Sequence, residues 1–158
     1  MSEQTEQQGG SVWSDRFGAP DLAALVAGVP DQIEDGEGPG EAFRAVLDGL
    51  RERKGCRTRV EWLGLPWRWT IVVSHPDVEH PQLAYVVPSP ERPVLCVPVA
   101  TSGPEKPDYS SLTKPVRQVL DASAIVAGYV WAEWPISNVD LVAIKPLLDA
   151  RAGEPAGE

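Results

Sequence analysis

The chain has 158 residues, 42% of them hydrophobic and 23% charged, with a formal net charge of −9. That length and apolar share suit one domain with its own core, and exclude a fibrous or wholly disordered chain. Two cysteines are too few for a disulfide scaffold, and no apolar run approaches the ~20 residues that a membrane span needs.

The charge is uneven. The first 41 residues carry nine acids and a single base, Arg16, so the acidity belongs to an N-terminal arm and the rest is nearly neutral. The opening MSEQTEQQGG has no apolar h-region. Together with two thiols this leads to an expected cytoplasmic setting. Pro 16 and Gly 14 favour short elements joined by defined turns.

Residues 1–19 read as a disordered arm, with Trp13 and Phe17 as anchors that could dock. Residues 20–40 read as a short helix and an acidic linker. In the helix, Leu22, Leu25, Val26 and Val29 share one face, and Gly28 and Pro30 stop it. Residues 41–151 read as a single α+β domain, and 152–158 as a flexible tail. The domain opens with a helix from Glu41 to about Arg53, whose apolar face is Phe43, Val46, Leu47 and Leu50.

The period then changes to two. Arg57–Leu63 and Trp67–Val73 alternate around Gly64-Leu65-Pro66, the pattern of a hairpin. Its alternation puts Trp62, Trp67 and Trp69 inward and Arg59, Glu61, Arg68 and Thr70 outward. Leu83–Pro88 and Pro93–Val99 are two further strands around a Ser-Pro-Glu-Arg turn, with prolines suited to strand ends. A helix starts near Thr113 or Lys114, with Pro115 in its first turn. A fifth strand, Tyr129–Ile136, follows Gly128. Ser137 then caps a last helix that Pro146 should kink or shorten. The order α-α-β-β-β-β-α-β-α predicts an α+β fold: a small, mainly antiparallel sheet of about five strands, with helices on one face.

Several stretches resemble a bacterial family known as a domain of unknown function, DUF3788. They are PDLAALVAG, VEWLGLPWRWTIVV, LAYVVPSPERPVLCVPV and GYVWAEWPISNVDLVAIKPLLDAR, within about residues 20–151. The resemblance implies a compact α+β domain and carries over no catalytic residue. The chain differs in its Pro-richer, Lys-poorer hairpins and in its longer acidic arm.

If Val130, Ala132, Trp134 and Ile136 of the last strand face inward, Tyr129, Trp131 and Glu133 face outward. With Arg59, Glu61 and Arg68 they would form an outer sheet face of rings, arginines and carboxylates, a surface suited to a protein partner or small ligand. This requires the last strand to share a sheet with the hairpin. The competing reading is a lattice of cross-strand ion pairs.

Other constellations are weaker. Glu61 and Glu133 are the acids on strands, and paired carboxylates divide acid and base roles only at suitable separation. His75, Asp77, Glu79 and His80 are metal-ligand types, but in a Pro-bracketed loop they read as a solvated turn, so no metal or cofactor is expected. Cys56 lies beside Lys54 and Arg57, and Cys96 reads as core. The run RERKGCRTR with Arg68 holds six of the 14 bases, but acids interrupt it and nothing marks a nucleic-acid site. The acidic arm could instead fold over this run. The sequence therefore points to a binding or interaction domain without evident catalytic machinery. A small enzyme with a carboxylate-based site on the sheet face, or an acidic inhibitor of the immunity type, is the alternative.

Overall fold

Alternation in four consecutive strands, each apolar on at least one side, requires a sheet with one face buried under helices. The computed structural model, which describes residues 12–34 and 36–153, has this arrangement. The helices are α1 (Leu22–Ala27), α2 (Gly40–Arg51), α3 (Lys114–Ala122) and α4 (Leu141–Ala152). A two-residue ladder joins β1 (Gln32–Ile33) to β2 (Gly36–Glu37). The main sheet holds β3 (Arg57–Trp62), β4 (Trp69–Ser74), β5 (Ala84–Val87), β6 (Val94–Ala100), β7 (Ile125–Val126) and β8 (Tyr129–Pro135).

The sheet order is β3-β4-β5-β6-β8-β7, antiparallel throughout. The first four strands form a meander. The chain then crosses the sheet through α3 and returns along β8, which pairs with β6 over its whole length. The fold is thus α+β as expected, with six strands in the main sheet rather than about five. The segment read as a linker contains the β1–β2 ladder. The expected disorder of residues 1–11, and residues 154–158 of the expected tail, fall outside the described residues.

All four helices contribute to one core. Leu25, Phe43, Leu50, Val116, Leu120, Ile144 and Leu147 pack against Ile71, Val73, Val86, Leu95, Val97 and Ala132. Burying each such aliphatic or aromatic side chain stabilises the fold by about 1.5–3 kcal/mol. Val60, Trp62 and Trp69 also project to this side. The rings of Trp62 and Trp69, opposite each other in the hairpin, meet edge to face with centroids 5.6 Å apart.

Three local expectations need correction. Asp140, not Ser137, caps α4: its carboxylate accepts from the Val142 and Ala143 N–H groups, and Ser137 lies in a preceding 3-10 turn. Pro146 does not end α4, which runs on to Ala152. The N–H that Pro146 lacks would have paired with the carbonyl of Val142, a residue 82% exposed, so the missing bond belongs to a solvent-exposed turn of the helix. Residues 12–14 form a 3-10 turn against the β3–β4 hairpin, with Trp13 docked as one of the two named anchors. Trp13 Nε1 donates to the Trp67 carbonyl and Trp69 Nε1 to the Asp15 carbonyl. Finally, Trp67 does not face inward, because the alternation breaks at Arg68.

The end of α4 is locked to the sheet. Arg151 is buried, with its guanidinium 5.0 Å from the Tyr129 ring. It donates to the carbonyls of Pro81, Gln82 and Pro98 and to the carboxylate of Glu105. Two residues earlier, buried Asp149 takes charge-assisted bonds from Arg53 (2.9 Å) and Lys145 (2.7 Å).

Candidate functional site

With the helices gathered on one side, the other side of the sheet is built by the remaining residues of the same alternation. β8 shares the sheet with the hairpin, so the condition for a common outer face holds. The register sets one row across it: Arg59 opposite Val72, Val72 opposite Tyr85, Tyr85 opposite Cys96, Cys96 opposite Glu133. A cation and an anion thus end a row with an apolar middle. Four strand spacings put them about 19 Å apart.

The middle is a second, smaller core. Val72, Tyr85 and Cys96 are buried, and Trp67 and Trp131 pack onto them. The Tyr85 ring lies 5.2 Å from Trp67 and 6.0 Å from Trp131, and the two indoles are 6.5 Å apart. These are ring-to-ring contact distances, so the trio forms a continuous platform with no room for a guest between its members. Trp131 Nε1 donates to the Val126 carbonyl, which fixes that ring's orientation.

Burial governs the electrostatics here. Desolvation raises the Tyr85 hydroxyl above its usual value, although a hydrogen bond from the Gln82 N–H opposes this. The Cys96 thiol is raised strongly, mainly by burial and secondarily by the Glu133 charge. Both groups stay protonated through the neutral range.

The predicted site residues divide. Arg59, Glu61, Trp131 and Glu133 are brought onto the outer face, and Arg59 pairs with Glu61 at 3.2 Å along the same strand. Tyr129 lies at the start of β8, under Arg151. Arg68 is not among them. It sits in the hairpin loop with φ 63°, and its guanidinium stacks on Trp13 at 5.1 Å. That left-handed residue breaks the alternation just before β4 and turns Trp67 to the outer face.

Two members of the platform were missed by sequence reasoning. Trp67 was hidden by the Arg68 conformation, which no residue type announces. Tyr85 was legible in principle, because in AYVV it alternates with the inward Ala84 and Val86.

The weaker constellations resolve as well. Glu61 and Glu133 lie on strands four steps apart, about 19 Å, against the roughly 5–9.5 Å over which carboxylate pairs share hydrolytic work. They do not form an acid–base pair. His75 is buried, its Nδ1 accepting from the Asp77 N–H at 3.1 Å, while His80 is exposed. Gly55, with φ 83°, passes so close that a Cβ there would lie 3.1 Å from His75 Nε2. Among the described residues no group of three or more His, Cys, Asp or Glu is placed to hold a metal ion. The basic run is dispersed: Arg53 goes to Asp149, Arg59 to Glu61 and Arg68 to Trp13.

Clefts open elsewhere, in the helix layer. One of about 570 Å³ lies between α1 and α2, where Arg44 pairs with Asp31, and another of about 730 Å³ lies between α3 and α4. Neither receives a residue predicted for the site. Comparison with family models, curated proteins and solved structures finds no match to this chain. Among the described residues no helix is long and apolar enough to cross a membrane.

Proposed function

We propose that the protein is a non-enzymatic binding domain whose helix-free sheet face engages a protein partner. The observation that carries this reading is the platform of Trp67, Tyr85 and Trp131 between Arg59–Glu61 on one side and Glu133 on the other. Aromatic rings on a rigid sheet supply contact area at little entropic cost, and a charged rim sets orientation and encounter rate. Half-buried indoles with an ion pair at one end and Glu133 at the other suit a segment with an apolar centre and a cationic end. A cytoplasmic setting belongs to the same reading, as does kinship with DUF3788. The stretches that carry that resemblance fall on α1, β3–β4, β5–β6 and β8–α4.

The test is affinity capture by immobilised protein from a cytoplasmic extract. It compares the wild type, Trp131→Ala and Trp67→Ala with Val142→Ser on the exposed side of α4 as the control. Matched circular dichroism would establish that each variant is folded. The reading expects a specific partner held by wild type and control, and weakened at least tenfold by either Trp substitution. Equal capture by all four proteins would sink it.

A further inference from the structure

The sheet ends differently on its two sides. One edge is β7, two residues long. The other is β3, which has six residues and no proline, and among the described strands pairs only with β4. A long regular edge presents a row of backbone donors and acceptors to another chain.

The direction of those groups follows from the hairpin. The Leu63 N–H donates to the Arg68 carbonyl at 3.0 Å. In an antiparallel ladder such bonds recur at every second residue. Arg57, Arg59 and Glu61 therefore turn their backbone groups toward β4, and Thr58, Val60 and Trp62 turn theirs to the open edge. Side chains alternate with the same period: Arg57, Arg59 and Glu61 lie on the outer face, Thr58, Val60 and Trp62 on the helix face.

We propose that β3 pairs with β3 of a second copy of this chain, antiparallel, about a two-fold axis through Val60. In this register Val60 faces Val60 of the second copy and Thr58 faces its Trp62, so every outward N–H and C=O of those residues finds a partner. Arg59 then stands opposite Glu61 of the second copy, twice by symmetry. These are non-hydrogen-bonded positions, where facing side chains come closest. Shifting the axis by one residue in either direction places Arg59 against Arg59 or Glu61 against Glu61. Charge thus selects one register, and the strand is complementary to itself, as an isologous interface requires. Each copy's Arg59–Glu61 pair is exchanged for two pairs across the axis. The two outer faces become one surface with a platform on each side.

The test uses the full chain and sedimentation velocity across a wide range of protein concentration, with hydrogen exchange at both ends of the range. The wild type should pass from monomer to dimer. The amides of Thr58, Val60 and Trp62 should become protected only at high concentration. Arg59→Glu and Glu61→Arg should each stay monomeric where the wild type is dimeric. An equimolar mixture of these two variants should dimerise again. One variant then presents carboxylates at both positions and the other guanidiniums at both, so every pair facing across the axis is of unlike charge. Trp131→Ala should dimerise as wild type does, so failure of the partner reading and failure of this one are distinguishable. A wild type that remains monomeric throughout overturns the proposal. So does a dimer that both single variants retain, or a mixture that fails to reassociate.

Discussion

Cys96 occupies the centre of the outer face, fully buried between Tyr85 and Glu133 in the cross-strand row. Its folded value is raised above the ordinary 9.0, so past pH 9 the unfolded chain releases a proton that the folded chain keeps. The unfolded state then binds fewer protons, and stability falls as pH rises. Tyr85, raised from 10.0, adds a loss of the same sign at higher pH. Urea unfolding should therefore show stability level below pH 9 and declining above it, at up to about 1.4 kcal/mol per pH unit for one such group. Cys96→Ala should lower stability at neutral pH and flatten the decline between pH 9 and 10. An unchanged alkaline slope would remove Cys96 as its source. That Cys96 is core was legible from its place in an apolar strand. That Glu133 is its neighbour was not, because the pairing of β6 with β8 depends on a crossover through α3.

At the scale of elements, those with a strong period were the legible ones. The face Phe43, Val46, Leu47 and Leu50 locates α2, and the alternation from Arg57 to Val73 locates the hairpin. The short β7 was not legible, since two residues have no period. It exists because Ala127 and Gly128 make a two-residue turn with φ 54° and 85° and fold Ile125–Val126 back on β8. Two successive positive φ values suit Asn-Gly far better than Ala-Gly. Ala127→Asn should therefore stabilise the protein by about 0.5–1 kcal/mol, because it relieves the cost of Ala in a left-handed conformation. A melting temperature about 2–4 °C higher per kcal/mol is the expected readout. A lower one would mean that the turn is not of this type.

For the whole molecule, the dockings that join distant segments decided what sequence could show. The polarity of the arm reads as disorder, yet Trp13 ties it to the hairpin through the Trp67 carbonyl and the Arg68 guanidinium. Arg16 adds a contact over Trp62, while Phe17 remains 89% exposed. Trp13→Ala should cost about 2 kcal/mol in urea unfolding, less than the ~3–5 kcal/mol of a fully buried ring. A loss below 0.5 kcal/mol, roughly that of an ordinary surface change, would show that the docked arm contributes nothing to the fold. The long-range counterpart at the other end of the described chain is Arg151. Its hydrogen bonds reach carbonyls 53, 69 and 70 residues earlier in sequence. Contacts of such long sequence separation carry a high loop-closure cost, so this one is expected to form late in folding. An interaction absent from the folding transition state acts on the rate of unfolding and leaves the rate of folding almost untouched. Arg151→Met should therefore speed unfolding in stopped-flow kinetics and leave the folding rate almost unchanged; a matching slowdown of folding would place these bonds in the transition state.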